Sequence, residues 1–286
     1  MKQETFQSVL HWGTHFLKQH GISNPRFEAE LLLSNILDID RIQLLVQSEH
    51  TVTESQKLKF IQFIKQRSGH QPYAQIVGHK EFMGLDFMIT PDVLIPRPDT
   101  ENIVEETLAV MHGMLEKSIH VLDLCCGSGA IGIAIAKYEE RAVVTGSDLS
   151  ETALNLAKRN AKKIGVQVDF LQSNLFQNIS DRFDIIVSNP PYIPTQKIAE
   201  LSEDVKNYEP KLALDGGNSG LDFYQKIFQQ AYKYLNHESY LICECGWNQA
   251  QDIADIAEDN SFNVQRIIKD LANLDRGLVC KYVNPN

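Results

Sequence analysis

Long hydrophobic runs are missing from this 286-residue chain, and no stretch approaches the ~18 consecutive apolar residues that a membrane-spanning helix needs. The opening MKQETFQSVLHWG carries one lysine and then Glu4, with no apolar run and no small-residue cleavage site, so a secretory leader is not expected. Cysteine is scarce and odd in number: five residues, as Cys125-Cys126, Cys243-x-Cys245 and Cys280. That spacing gives neither a disulfide framework nor the paired C-x-x-C knuckles of a zinc site. Buried thiols in a reducing cytoplasm are the expectation. The nine histidines form no H-x-x-E-H or similar cluster, so no metal is expected. Internal repeats and low-complexity tracts are absent.

Positive charge is also short, with 27 Lys and Arg against 37 Asp and Glu, a net charge of −10. The deficit is uneven. Residues 1–75 hold eight basic and seven acidic residues, which leaves −11 on the remaining 211. An acidic second part argues against gripping a nucleic-acid backbone, because phosphate neutralisation needs clustered Lys and Arg. Direct DNA binding is therefore not expected, whereas a basic protein partner is compatible. Lys57, Lys59, Lys65 and Arg67 read as a solvated face, with contact to a protein or RNA partner as the sharper alternative.

Hydrophobic residues make up 43% of the chain, enough for a full-sized core and a second, smaller domain. Residues 1–75 follow helical spacing only. Phe6, Val9, Leu10, Phe16 and Leu17 share one face, Asn24-Pro25 resembles an N-cap with an N1 proline, and Thr53-x-x-Gln56 is a capping-box pattern. A small helical bundle follows. From Gln75 to Ile95, glycine-broken β-rich stretches predict a hairpin linker over 76–95. From residue 96 to 286, helical stretches (100–117, 129–138, 151–164, 220–236, 247–259) alternate with apolar strands (119–124, 142–147, 166–171, 184–188, 239–245). Such alternation predicts a parallel sheet covered on both faces. The last two strands, 262–270 and 276–283, are closely joined and predict an antiparallel pair at the edge.

VLDLCCGSGAIG, residues 121–132, is an apolar strand, a glycine turn and a helix. Gly127-x-Gly129-x-x-Gly132 satisfies the dinucleotide fingerprint, and Asp148 ends the next strand at about the separation of ~20 residues that fingerprint expects. The match alone is weak, since many nucleotides use close backbone approach and free helix N–H groups. Asp123 discriminates. A carboxylate at the end of the strand repels pyrophosphate but favours the ammonium and sulfonium of S-adenosyl-L-methionine. Asp148 would then accept from the ribose hydroxyls. A solvated loop acid and a helix N-terminal acid are the bland alternatives for the two.

FDIIVSNPPY, residues 183–192, runs a buried strand into Asn189-Pro190-Pro191-Tyr192. The prolines stiffen the turn and donate nothing, so carbonyls and the Asn189 side-chain oxygen offer fixed acceptors. A planar NH₂ group needs such acceptors: its nitrogen gains positive charge on attacking a methyl carbon, and its N–H bonds become stronger donors. Asn189 and Pro190 are the candidate catalytic acceptors, with Tyr192 packing on the amide plane. A plain Asn-Pro turn is the alternative.

The segment resembles the NPPY signature of amino-methyltransferases, which include DNA adenine and cytosine enzymes and protein glutamine enzymes. Pro96-Arg97-Pro98-Asp99-Thr100-Glu101, Asp148-Leu149-Ser150 with Ala153-Leu154 and Asn160-Ala161, and Tyr208-Glu209-Pro210 with Gly216-Gly217 and Gly220-Leu221-Asp222 narrow it further. Together they resemble the bacterial peptide chain release factor glutamine methyltransferases, or HemK-type proteins, over essentially the whole chain. The resemblance implies a seven-stranded, Rossmann-like methyltransferase domain behind an N-terminal helical domain; the charge break between the two points to substrate-protein docking by the bundle over 1–75, with a solubility or stability appendage as the bland alternative. It implies methylation, at N5, of the glutamine in the Gly-Gly-Gln motif of class 1 release factors, a modification that acts on translation termination. S-adenosyl-L-methionine is the implied donor and S-adenosyl-L-homocysteine the product. The implied donor contacts are Cys125, Cys126, Gly127, Ser128, Gly129, Asp148, Asn174, Leu175 and Asn189, with the glutamine against Asn189, Pro190, Pro191 and Tyr192. Two departures stand out. Cys125-Cys126 replaces the usual Gly-Thr, so a positive φ at 125 would be strained. Asn174 stands where an aspartate is common. A DNA amino-methyltransferase, a non-catalytic cofactor-binding module and an NAD oxidoreductase remain as lesser alternatives.

Overall fold

The computed structural model describes residues 4–283, which form two compact units. The first comprises the residues up to Gly78 together with Ser202–Tyr208. Its helices are α1 (Phe6–Gln19), α2 (Pro25–Leu37), α3 (Arg41–Val46), α4 (Glu54–Ser68) and α5 (Tyr73–Val77), joined by the later α9 (Glu203–Tyr208). Leu17, Leu32, Leu33, Leu44, Phe60 and Ile64 are fully buried at its centre. Gly13 lets α1 meet α4 closely, since a Cβ there would lie 2.7 Å from the Phe60 ring. The Thr53–Gln56 capping box is formed at the start of α4. The tail of α9 is tied in by Gln75, whose Nε2 donates to the Tyr208 carbonyl at 2.8 Å, and by the Tyr208 hydroxyl, which donates to the Gly69 carbonyl.

Two expectations need correction here, and a third in part. Asn24 precedes α2 with Pro25 at the first turn, but it sits at φ 52° and its side chain makes no cap hydrogen bond. Gln75–Val77 are helical rather than part of the hairpin, because Pro72 opens a turn that Gly78 ends at φ 85°. Of the basic residues of α4 expected to form a solvated face, Lys59 and Lys65 are exposed, whereas Arg67 pairs with Glu28 at 3.1 Å and Lys57 with Glu4 at 3.1 Å.

The second unit opens with the hairpin β1 (His79–Phe82) and β2 (Leu85–Met88), followed by α6 (Pro98–His112). It continues β3 (Ile119–Leu124), α7 (Ala130–Tyr138), β4 (Ala142–Asp148), α8 (Glu151–Ile164), β5 (Asp169–Gln172) and β6 (Phe183–Ser188). After two 3₁₀ turns come α10 (Asp222–Ala231), β7 (Leu235–Glu244), α11 (Ala250–Asp259), β8 (Phe262–Lys269) and β9 (Asp275–Tyr282). The seven strands of the main sheet are ordered β5-β4-β3-β6-β7-β9-β8. β3 to β7 run parallel, and β9 is antiparallel to both β7 and β8. Expected boundaries shift where pairing overrides local pattern. β7 begins at Leu235, inside the stretch expected to be helical, because Leu235 is buried and pairs with Phe183. β5 is cut to four residues by its place at the edge beside β4.

Strand order reverses about β3, which has β4 on one side and β6 on the other. In open parallel sheets the crevice above such a reversal, at the carboxyl ends of the strands, is where ligands bind. Asp123, Asp148 and Asn189 all come from those ends. Among the described residues no helix is long and apolar enough to cross a membrane.

Candidate active site

Beyond β3 the chain turns through Cys125, at φ 64°, then Gly127 at φ 54° and Gly129 at φ 79°, the N-cap of α7. The expected positive φ at Cys125 is thus present, on a residue with a Cβ. Asp148 organises this loop. One carboxylate oxygen accepts from the Gly127 amide at 2.8 Å and the other from the Ser150 amide at 2.8 Å. Burial pushes its pKa above the ordinary carboxylate range, against the pull of those backbone donors. Each oxygen still has a lone pair to offer.

Asp123 lies behind the loop. It is 1% exposed, and its Oδ2 accepts from the Gly132 amide at 2.8 Å. Its Oδ1 is buried without a hydrogen-bond partner. Burial, aided by the charge of Asp148, pushes its pKa up to about 7, although the Gly132 N–H opposes the shift. Asn160 of α8 braces the same loop from the hairpin side, donating to the Ser128 carbonyl at 3.0 Å and accepting from the Met88 amide at 2.8 Å.

A cavity of about 360 Å³ opens above β3, β4 and β6, within the ~300–1,000 Å³ typical of small-molecule sites. Cys125, Cys126, Gly127, Ser128, Asp148, Asn174, Leu175, Asn189 and Pro191 line it. Asp123, Gly129, Pro190 and Tyr192 are not among its lining residues. Gly129 and Asp123 support the loop from below, while Pro190 and Tyr192 form the turn beyond Asn189. The lining also includes Asp92, Leu94, Pro96, Thr100, Pro210 and Phe223, which the sequence did not single out as site residues. Among the described residues, two acids and no Lys, Arg or His line this cavity. A phosphate-bearing nucleotide would find no countercharge here, whereas a sulfonium and ammonium would find a favourable field.

The wall opposite the glycine loop is fastened by Glu209. Its carboxylate pairs with Arg97 and accepts from the Ile95 amide at 3.3 Å, which joins the Pro-Arg-Pro segment to the chain entering Pro210. The NPPY turn is held equally firmly. The Ser188 hydroxyl donates to the Leu124 carbonyl at 2.7 Å, and Gln249 Nε2 donates to the Tyr192 carbonyl at 3.0 Å. Gly220 permits that approach, because a Cβ there would fall 2.3 Å from the Tyr192 carbonyl oxygen. Asn189 is partly buried, with Nδ2 3.5 Å from the Thr100 hydroxyl. The Tyr192 hydroxyl donates to Glu244 Oε1 at 3.3 Å, and burial raises the Tyr192 pKa.

The sequence reading missed Glu244 and Thr100. The available signal was an acid ending an otherwise apolar strand, Leu241-Ile242-Cys243-Glu244, the same pattern that marked Asp123. Trp247, expected on a helix, stands 61% exposed just before α11.

Residues 8–78 match the family model described as PrmC N-terminal domain, and residues 102–205 match the methyltransferase small domain. The release factor glutamine methyltransferase of Geobacter sulfurreducens is 42% identical over 250 residues, 87% of each chain. That of Clostridium botulinum is 39% identical over 94% of this chain and 96% of its own. Among solved structures, a methyltransferase from Pyrococcus furiosus superimposes with a TM-score of 0.53 at 19% identity, covering 71% of this chain and 91% of the other. That likeness concerns the fold.

Proposed function

This chain belongs to the release factor glutamine methyltransferase family, and from that premise we infer that it methylates the N5 amide nitrogen of the glutamine in the Gly-Gly-Gln motif of class 1 release factors. When bound, S-adenosyl-L-methionine supplies an electrophilic methyl group on a sulfonium that departs as S-adenosyl-L-homocysteine. One observation carries the reading. Asp148, the glycine loop and Asn189 line a single cavity that holds acids and no cationic side chain.

The chain's own residues divide the work. Cys126 to Gly129 present backbone at the end of β3, and Asp148 holds that loop while keeping lone pairs for hydroxyl donors. Asn189 Oδ1 and the Pro190 carbonyl accept the N–H bonds of the substrate amide as charge develops on its nitrogen, and one such contact contributes about 3 kcal/mol. The amide needs no base before attack, because its proton leaves only after the C–N bond has formed. Proline-stiffened backbone and the Gln249 and Ser188 hydrogen bonds keep both acceptors in place, so little reorganisation accompanies the reaction.

Docking of the release factor is assigned to the helical unit, whose residues match the PrmC N-terminal domain and whose charge is near neutral. The acidic second unit makes direct DNA binding a poor alternative. The test is incubation with labelled donor and a class 1 release factor, followed by peptide fragmentation. One methyl on the Gly-Gly-Gln glutamine is expected. Label on another residue, or on DNA alone, would overturn the reading.

A further inference from the structure

Beneath the NPPY turn, the last residue of β7 is a buried carboxylate that the methyl-transfer chemistry does not call on. Glu244 is 2% exposed. Its backbone is pinned twice, by the ladder to Gly277 of β9 and by the Tyr224 hydroxyl, which donates to its carbonyl at 2.7 Å. Its side chain therefore has a fixed origin. Oε1 accepts from the Tyr192 hydroxyl at 3.3 Å, while Oε2 is buried with no well-formed hydrogen bond. Burial pushes the Glu244 pKa up to about 7, while Thr100, 4% exposed on α6, Tyr192 and Asn189 favour the charged form by hydrogen bonding; Asn189 Nδ2 is 3.5 Å from the Thr100 hydroxyl.

An asparagine amide has two ends of opposite hydrogen-bonding sense. For Asn189 to accept from a substrate amide, Oδ1 must face the cavity and Nδ2 must point away from it. There it meets the Thr100 hydroxyl, itself part of the cavity lining, and behind that the buried Glu244 side chain, both able to accept. Once ionised, above its raised pKa of about 7, the carboxylate has acceptors on both oxygens, so it can take Tyr192 O–H on one and serve the Thr100–Asn189 pair with the other. A donor in that place would oppose Nδ2 and favour the flipped amide.

We propose that Glu244 is a positioning residue: by accepting from Tyr192 and facing the Thr100–Asn189 pair, it fixes which end of the Asn189 amide meets the substrate glutamine. The inference rests on the methyl-transfer reading above and adds the group that sets its polarity.

Glu244→Gln keeps the shape and replaces one acceptor by a donor. The expected result is a fall in kcat of tenfold or more, with donor Kd and release-factor KM each within about twofold of wild type. Asn189→Asp alone sets two carboxylates against each other and is also impaired. The double variant Glu244→Gln/Asn189→Asp restores a donor–acceptor match with the senses exchanged, so it should exceed both single variants in kcat. A purely structural role for Glu244 predicts no such rescue. A Glu244→Gln enzyme with wild-type kcat, or a double variant no better than the better single, overturns the proposal. If Glu244→Gln does not fold, Tyr192→Phe breaks the link from the other end. Its kcat should fall severalfold with donor affinity unchanged, and an unchanged kcat is equally fatal. Wild-type turnover is the control: its absence overturns the functional reading and this inference together, whereas wild-type turnover matched by Glu244→Gln overturns this inference alone.

Discussion

Asp148 and Gly127, separated by 21 residues in the chain, meet at 2.8 Å, carboxylate oxygen to backbone amide. The acid that would hold the donor's hydroxyls therefore also sets the shape of the loop beneath it. Asp148→Ala removes both contributions. Donor affinity should fall by about 10–100-fold, the scale of a charge-assisted hydrogen bond of roughly 1.5–3 kcal/mol. Calorimetry on the folded variant checks this, and unchanged affinity would remove Asp148 from the donor site.

Asp123 makes a prediction about pH. Its pKa in the folded chain is pushed up to about 7 by burial, whereas in the unfolded chain it titrates near the ordinary 3.8. Between those values the native state keeps a proton that the unfolded state has lost, so stability falls as pH rises through the window. Asp123→Asn keeps an acceptor for the Gly132 amide and removes the titration. The Tm of the variant relative to wild type should climb between pH 4 and pH 8, by at least roughly 2–4 °C, the scale of 1 kcal/mol in a chain of this size. Parallel Tm–pH curves would show that Asp123 is not held protonated in the native state.

Cys125 occupies left-handed backbone at φ 64°, a conformation that costs a residue with a Cβ about 1–2 kcal/mol. Cys125→Gly and Cys125→Ala both lose the sulfur, and only the glycine relieves the backbone. The glycine variant should be the more stable of the two by about 1 kcal/mol in urea unfolding, after its own unfolded-state entropy is counted. Equal midpoints would mean the loop relaxes around either residue.

The sequence disclosed the strand–loop–helix of the donor site because an apolar run stops abruptly at acids and glycines; Ile119–Leu124 coincides with the expected strand. The NPPY turn was legible for the same reason. What escaped depends on pairing across long separations. Glu244 and Thr100 are 144 positions apart and come together only because α6 packs against β7. Val77 has strand-like character, but Pro72 and Gly78 enclose it in one helical turn. Leu235 joins β7 because Phe183 is its partner, which no local period reports. Expected helical caps fared unevenly: Thr53 caps through its side chain, whereas Asn24 enters left-handed backbone that aims its side chain elsewhere.

Substrate docking on the helical unit is testable on its surface. Ile42 and Val46 of α3 are 74% and 79% exposed, and exposed apolar side chains of this kind mark protein-binding faces when clustered. Deleting residues 1–75 would strip α9 of Gly69 and Gln75, so Ile42→Glu/Val46→Glu is the cleaner probe. Methylation of whole release factor should slow at least severalfold through KM, with donor affinity and turnover of a short Gly-Gly-Gln peptide unaltered. Equal loss on the peptide, or no loss on the whole factor, would place docking elsewhere.

The central claim is that Asn189 receives the developing charge of a glutamine amide, and single-turnover methyl transfer by Asn189→Ala measures it most directly. With donor saturating and release factor in fixed amount, the rate should fall by about 10²–10³, the cost of one preorganised hydrogen-bonding group, while Tm stays near that of wild type. A folded Asn189→Ala enzyme that methylates the same glutamine within threefold of the wild-type rate would contradict it.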